Sequence, residues 1–567
     1  MRGALIVLAI AIVLVTAPAA PAATPAGCQK ASGNAGNKCL AKYLKTVERC
    51  RKTQDAPCED AARAEDGSLD DVVAAVDKPI RRKCDDETSE VVAFRDTDDL
   101  VSKTNDACVD WAEDFLGLGS APASTAGAFV KCQRTVAKEL GKLRAGTIKL
   151  FGPGCAVKEF KGKRCNRTKR DKRAIRLRLN AQGKIEKKCA ADGGGYDSLG
   201  LGPLDVLIDR VQTRARHFAI RVYPPHSLGP TAERGPFEVG VRTLELEDSS
   251  RMNLDVDLVE PEPRPVVTEV WYPTTAEAVA GKPREVATVL GLPVTETPTY
   301  RDVERAPGVF PLVVFSHGNQ GIRIQSLAIM ALLVSHGYVV ASPDHHGNTF
   351  VDSAAGIVDQ TSATNRPLDM SFVIDELLRL NTESGSFLKD AIDPNAIGAT
   401  GHSFGGLTSW FLAGGGPPSI PADPRVKAIL PQAPASPEDA AFYQGVTVPT
   451  LIVGGSLDAT TPFAAQQQFP FDSMPSGAAI VALAELEGGG HFTFSDFCEV
   501  DRILLAFLGG FEEACEPRHL PWRHARGVIV YLAVNFFDAI LKGDAAALGR
   551  LDADVVNAFD DVRFERK

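Results

Sequence analysis

The chain predicts two unlike parts: an α/β domain on a mainly parallel sheet, preceded by a disulfide-rich, internally repeated α-helical domain. Three observations carry this. From about residue 235, apolar strand-like runs alternate with helical runs, the sequence form of a parallel sheet covered on both faces. Of twelve cysteines, ten lie between 28 and 189. The charge is also divided: residues 24–200 hold 34 Lys/Arg against 26 Asp/Glu, whereas 201–567 hold 27 against 46. Modules with different surfaces are expected from that asymmetry, and 567 residues is too long for one ordinary domain.

Residues 1–23 have one Arg, an apolar run from Ala4 to Val15 and then small residues, the form of a secretory signal. The apolar run is short for a membrane span. A secreted or periplasmic location is expected, and an even number of cysteines in an exported chain reads as disulfides.

Residues 24–205 form the cysteine-rich module. Cys28, Cys50, Cys58 and Cys84 recur as Cys132, Cys155, Cys165 and Cys189, at offsets of 104, 105, 107 and 105, which marks a duplicated unit. Cys39 and Cys108 have no counterparts and are candidates to pair with each other. Apolar residues between the cysteines recur at three- and four-residue steps, so the units are helical, with cores small enough to need staples. There is no C-x-x-C pair, and no metal is expected.

Lys158 to Lys188 carries 14 Lys/Arg against Glu159, Asp171 and Glu186. It reads as a solvated helical face or as a contact for an anionic surface. Aromatic interleaving is missing, so nucleic acid is not expected. Residues 206–234 read as a linker with a helix, between the Gly-rich ADGGGYDSLGLGP and the loop PPHSLGPTAERGP.

The domain 235–567 takes the form strand (FEVGVRTLEL), strand (VVTEVWYPTT), an irregular insert of roughly 30 residues, then the apolar strand FPLVVFSHG, typical of the middle of a parallel sheet. The helix SLAIMALLVSHG, the strand YVVASPDHHGN, the helix MSFVIDELLRL and the strand IGATGHS follow. Three more strands, in VKAILPQAP, VPTLIVGGSLD and AIVALAELEGGGH, lead to a closing helix, VIVYLAVNFFDAILKG.

Within this pattern, Gly401-His402-Ser403-Phe404-Gly405-Gly406 sits between a strand and a helix. A turn that tight needs glycine two positions either side of the serine, and it raises the hydroxyl at the sheet's C-terminal edge. Serine is a weak nucleophile at neutral pH and needs a base and an orienting acid. Asp458, after the strand TLIVGG, and His491, in GGGHFTF, follow in the right order. Two N–H donors for an oxyanion are expected from Phe404 and from Asn319, in the loop after FPLVVFSHG. His317 and His402 flank this site as expected buried hydrogen-bonders, His336 reads as a helix cap, and Asp344-His345-His346 reads as loop packing. Cys498 and Cys515, just past His491, are the remaining disulfide candidates.

PLVVFSHGN, VSHGYVVASPDH, RPLDMSFVIDELL, GHSFGG, GGSLDATTP and GGGHFTFSD together resemble the α/β-hydrolases that include platelet-activating-factor acetylhydrolases and dienelactone-hydrolase-like esterases. The resemblance covers about 235–545. It implies the α/β-hydrolase fold, with helices on both faces of the sheet. It also implies a serine esterase or lipase acting on short acyl chains and needing no metal. Together with the signal-like segment and the Ser403, Asp458 and His491 order, the chain reads as an exported serine hydrolase that cleaves carboxylic esters (short-chain acyl, lipid or polyester) through an acyl-enzyme, with no cofactor. There are two departures. Dienelactone hydrolases use a cysteine where this chain has Ser403. The acetylhydrolases place their acid after the strand that follows the nucleophile, but here KAILPQAP is followed by no carboxylate until Glu438 and Asp439, which leaves Asp458 as the acid. The alternative is a surface- or polyanion-binding protein dominated by its cysteine-rich module.

Overall fold

Helical spacing between the early cysteines becomes a group of long helices. The computed structural model describes residues 25–50, parts of 71–109, 127–160, 165–190, 196, 201–223 and most of 234–567, with 254–261 and 501–518 excepted. The signal-like segment and Cys515 lie outside the described residues. The principal helices of the first part are α1 (Pro25–Cys50), α2 (Gly127–Phe151), α3 (Arg167–Ala190) and α4 (Leu204–Val222). They share one buried cluster, to which α4 contributes Leu207, Ile208, Val211, Ala215, Phe218 and Val222. Tyr223, at the end of α4, lies so close to α1 that a Cβ on Gly33 would fall 2.0 Å from its ring.

Cys28 bonds to Cys84, Cys39 to Cys108, Cys132 to Cys189 and Cys155 to Cys165. The first and third bridges span 56 and 57 residues. Cys498 is also disulfide-bonded. Closing a loop of that length restricts the unfolded chain, which is how a small helical core is stabilised.

The second part is a ten-stranded sheet. Its strands are β1 (Glu238–Asn253), β2 (Glu262–Thr274), β5 (Tyr300–Arg301), β6 (Phe310–Ser316), β7 (Val339–Pro343), β8 (Ile392–His402), β9 (Val426–Gln432), β10 (Thr450–Gly455), β11 (Val481–Leu486) and β12 (Val562–Arg566). The order is β12-β11-β10-β9-β8-β6-β7-β2-β1-β5. Pairs from β11 to β7 are parallel, while β2 on β7, β1 on β2 and β12 on β11 are antiparallel. Alternation along β6 supplies both faces. Val313 and Phe315 pack with α5 (Leu327–Ser335) and α8 (Trp522–Leu541), and Leu312 and Val314 with α6 (Ser362–Thr382) and α7 (Phe404–Leu412). Among the described helices, α8 alone is long and apolar enough to cross a membrane, and most of it is buried in this core.

Two regions differ from expectation. The insert expected to be irregular contains a hairpin, β3 (Val286–Val289) and β4 (Leu292–Glu296), and the two-residue β5, which pairs with β1. Pro293 and a register shift between Ala287 and Thr288 break the alternation that would reveal the hairpin. The chain ends in the edge strand β12, not in the apolar helix. Five residues are too few for periodicity to separate strand from loop.

The two parts meet at α4. Arg216 lies 2.8 Å from the buried Asp561, His524 approaches the same carboxylate at 3.2 Å, and the His217 ring lies against Gly488. That glycine is three residues before His491.

Candidate active site

Chain order reverses between β6 and β8: β7 lies beyond β6 on one side and β9 beyond β8 on the other. A sheet opens a crevice at such a point, at the strands' C-terminal ends. Ser316, the last residue of β6, pairs with Gly401 near the end of β8. Ser403 follows at φ 56° and ψ −116°, a strained conformation for a non-glycine residue. A Cβ on Gly405 would fall 1.8 Å from the Ser316 carbonyl oxygen, and one on Gly401 would fall 2.4 Å from that of Gly405. Only glycine lets β6 and the turn approach this closely.

Phe404 is the first residue of α7, where helix geometry leaves the backbone N–H without an intrahelical acceptor. The loop carrying Asn319 abuts the same point, for a Cβ on Gly318 would sit 3.5 Å from Ser403 Cβ. The Asn319 side chain accepts a 2.9 Å hydrogen bond from Asn348 Nδ2.

Asp458 and His491 come from loops after β10 and β11, and Asp458 Oδ2 lies 2.9 Å from His491 Nδ1. Both are buried. Thr461 fixes the Asp458 carboxylate: its N–H donates to Asp458 Oδ1 at 2.7 Å and its hydroxyl to Oδ2 at 2.7 Å. The Leu457 N–H donates to Gly489 O at 2.8 Å, which ties the two loops together.

His317 and His402 are buried and hydrogen-bonded as expected, but sequence reasoning missed the partners that join them into a network beneath these groups. His402 Nε2–H donates to the His491 carbonyl at 2.8 Å. Its Nδ1 accepts from Gln325 Nε2 at 2.7 Å, while Gln325 Oε1 accepts from the Gly318 N–H at 3.0 Å. Gln325 and His402 therefore join the His491 loop to the Asn319 loop. Beyond them, the His345 N–H donates to His317 Nε2 at 3.1 Å, and Ser316 Oγ, His345 and Asp369 form a fully buried series with steps of 2.9 Å. Arg366, also buried, donates to Ser316 Oγ at 3.0 Å and to the His317 carbonyl, and its guanidinium lies 4.6 Å from the Phe404 ring centroid.

The histidines of this network are held neutral. Burial, with the nearby Arg366 charge, pushes His345 down to about 3 and His317 well below the ordinary value. Burial and the adjacent His491 ring do the same to His402. Burial alone would raise the Asp369 carboxyl, but hydrogen bonds from His345 and Arg264, and the Arg264 charge, hold it well below the usual range. The motif RPLDMSF contains Arg366 and Asp369, yet nothing local in it shows that both side chains turn inward.

Among the described residues, no cluster of His, Cys, Asp or Glu is arranged to hold a metal ion. Parallel strands covered by helices, a serine turn at the switch point and a buried acid–histidine pair define the architecture of an α/β-hydrolase. The comparisons agree. Residues 312–511 match the PET hydrolase-like family model, and residues 228–369 match that of platelet-activating factor acetylhydrolase, isoform II. The chain is similar to cutinase est1 of Thermobifida alba, 27% identical over 33% of this chain and 55% of that protein. It is similar to cutinase 1 of Thermobifida cellulosilytica, 28% identical over 33% and 63%. A bis(hydroxyethyl) terephthalate hydrolase of Streptomyces coelicolor is 26% identical over 34% and 54%. The chain thus spans about half to two thirds of the length of these relatives, and residues before 228 lie outside both family matches.

Proposed function

We propose that this protein is an exported serine hydrolase that cleaves carboxylic esters through Ser403, His491 and Asp458. The observation that carries the reading is the strained Ser403 turn at the sheet's switch point, in the same crevice as the buried Asp458–His491 pair. Ser403 Oγ attacks the ester carbonyl carbon as its proton passes to His491 Nε2. The carbonyl oxygen, now negative, accepts from the Phe404 and Asn319 N–H groups. Collapse expels the alkoxide, which takes the proton from His491, and leaves an acyl-enzyme. Water then attacks with His491 again as base, releasing the acid and restoring Ser403. Asp458, held by Thr461, keeps the imidazole's Nδ1 protonated.

Relatives named as cutinases and as a bis(hydroxyethyl) terephthalate hydrolase support an ester or polyester substrate. The disulfides are those an oxidising compartment allows. We infer domains at 1–23 (signal), 24–205 (a duplicated cysteine-rich unit), 206–234 (linker and helix) and 235–567 (hydrolase). The matched bridges Cys28–Cys84 and Cys132–Cys189 support the duplication, which predicts a Cys50–Cys58 bridge equivalent to Cys155–Cys165.

The test is hydrolysis of p-nitrophenyl butyrate and of a polyester film, with fluorophosphonate labelling. Ser403→Ala is expected to lose labelling and to lower kcat by about 10⁴-fold or more. Turnover that survives the substitution would refute the reading.

A further inference from the structure

Helix α3 turns two unlike surfaces outward together. Its inward side buries Ala174, Ala181, Ile185 and Cys189, and it is fastened to α4 by Gln212 Nε2 donating to the Ala174 carbonyl at 2.9 Å and by Arg178 and Asp209 at 2.5 Å. On the other side, Ile175 is 57% exposed and Leu179 61% exposed, one helical turn apart. Lys172 and Arg176 share that outward face, each three residues before one of the pair, with Lys169 and Lys187 further along it. These four cations make no ion pair among the described residues. The nearby acids are already engaged: Asp171 by Arg170 at 2.8 Å, Glu186 by Gln182 at 2.9 Å, and Glu139 by Lys142 and Lys184.

A solvated charged helix has no physical need for two aliphatic side chains in the middle of its basic face. A dissolved polyanion would neutralise the cations but leave the aliphatics in water. An anionic bilayer meets both requirements, with ammonium and guanidinium groups at the phosphates and the aliphatic pair at the acyl boundary. The long stems of Lys172 and Arg176 suit that difference in depth. The acidic excess of residues 201–567 would be repelled by the same membrane, so the charge division orients the molecule with α3 toward the lipid. We propose that the outward face of α3 adsorbs to anionic phospholipid bilayers, Ile175 and Leu179 entering the acyl boundary and Lys169, Lys172, Arg176 and Lys187 contacting the headgroups. This goes beyond the esterase reading and does not depend on it.

The experiment uses full-length protein carrying Ser403→Ala, so that binding is read without turnover. Co-sedimentation is measured with vesicles of phosphatidylcholine alone and with one quarter phosphatidylglycerol, in low and high salt, beside retention on heparin. Salt-sensitive binding to the phosphatidylglycerol vesicles only is expected. Ile175→Ser with Leu179→Ser, and separately Lys172→Gln with Arg176→Gln, should each weaken it at least tenfold, while only the charge variant should weaken heparin retention. In a Leu179→Trp variant, emission should shift to the blue on these vesicles and be quenched by brominated lipid. Equal binding to both vesicle types, no binding, binding indifferent to the aliphatic pair, or an unshifted Leu179→Trp spectrum would overturn the proposal. Binding indifferent to the aliphatic pair would identify a plain polyanion contact.

Discussion

The two parts of this chain divide their chemistry sharply. Ten of the twelve cysteines lie at or before residue 189, and every histidine lies at or after residue 217. Helices α1 to α4 enclose one modest core, and among the described residues four bridges close loops between residues 28 and 189. The sheet domain has a large core on each face and spends buried polar groups on positioning loops. A small core needs covalent constraint to be stable. A large one tolerates buried neutral histidines, arginines and an aspartate, provided that each finds partners.

That contrast can be broken from either side. The largest expected effect on stability comes from pH. His217, His317, His345 and His402 are buried and held below the ordinary value near 6.5. They are neutral when folded and protonated when unfolded in mild acid, so the unfolded state binds more protons there. Their stabilisation is fully present above about pH 6.5 and is lost as pH falls toward their folded values. Each costs about 1.4 kcal/mol per pH unit below 6.5. Urea unfolding at pH 7.5 and 5.5 should show the sheet domain, with three such histidines, losing most, and a separate transition of the stapled helices, which carry one in His217 on α4, moving less.

The complementary perturbation is Cys132→Ser with Cys189→Ser. It opens a bridge spanning 57 residues and should cost the helical module about 4 kcal/mol. Ester turnover by the folded protein should change less than fivefold, and a larger loss would show that the site depends on the module's rigidity. Arg216→Ala probes the junction. It removes the guanidinium 2.8 Å from the buried Asp561 carboxylate and should cost about 3 kcal/mol by thermal unfolding. The smallest effect is expected from Gln325→Ala, which removes the link between Gly318 and His402. It should lower kcat roughly 10- to 100-fold with KM little changed and the melting temperature within a few degrees. A change confined to KM would assign Gln325 to substrate binding instead.

Much of this was legible in the sequence because the relevant signals are local. GHSFGG needs its glycines for contacts within one turn, and continuous apolar runs reveal central strands without knowledge of their neighbours. Asp458 and His491 stand directly after such runs. The hairpin in the insert and the edge strand β12 are too short for their spacing to declare them. Gln325, Thr461, Arg366 and Asp369 were hidden for a different reason. A glutamine in a loop or an arginine on a helix reads as a surface residue until the fold closes over it. Gln325 meets His402 across 77 positions, and Arg264 meets Asp369 across 105.

The sequence by itself determined the stapled helical module, the parallel sheet and the serine turn, since periodicity, cysteine spacing and glycine placement follow from backbone geometry within a few residues. The pairing of Cys39 with Cys108 was legible as two cysteines without counterparts; only the tertiary structure decided how the other cysteines meet, that α4 rests beside the loop of His491, and that the neutral buried His402, through Gln325, joins that loop to the one bearing Asn319. Those outcomes depend on desolvation and on partners brought together by packing, which no short stretch of chain encodes alone.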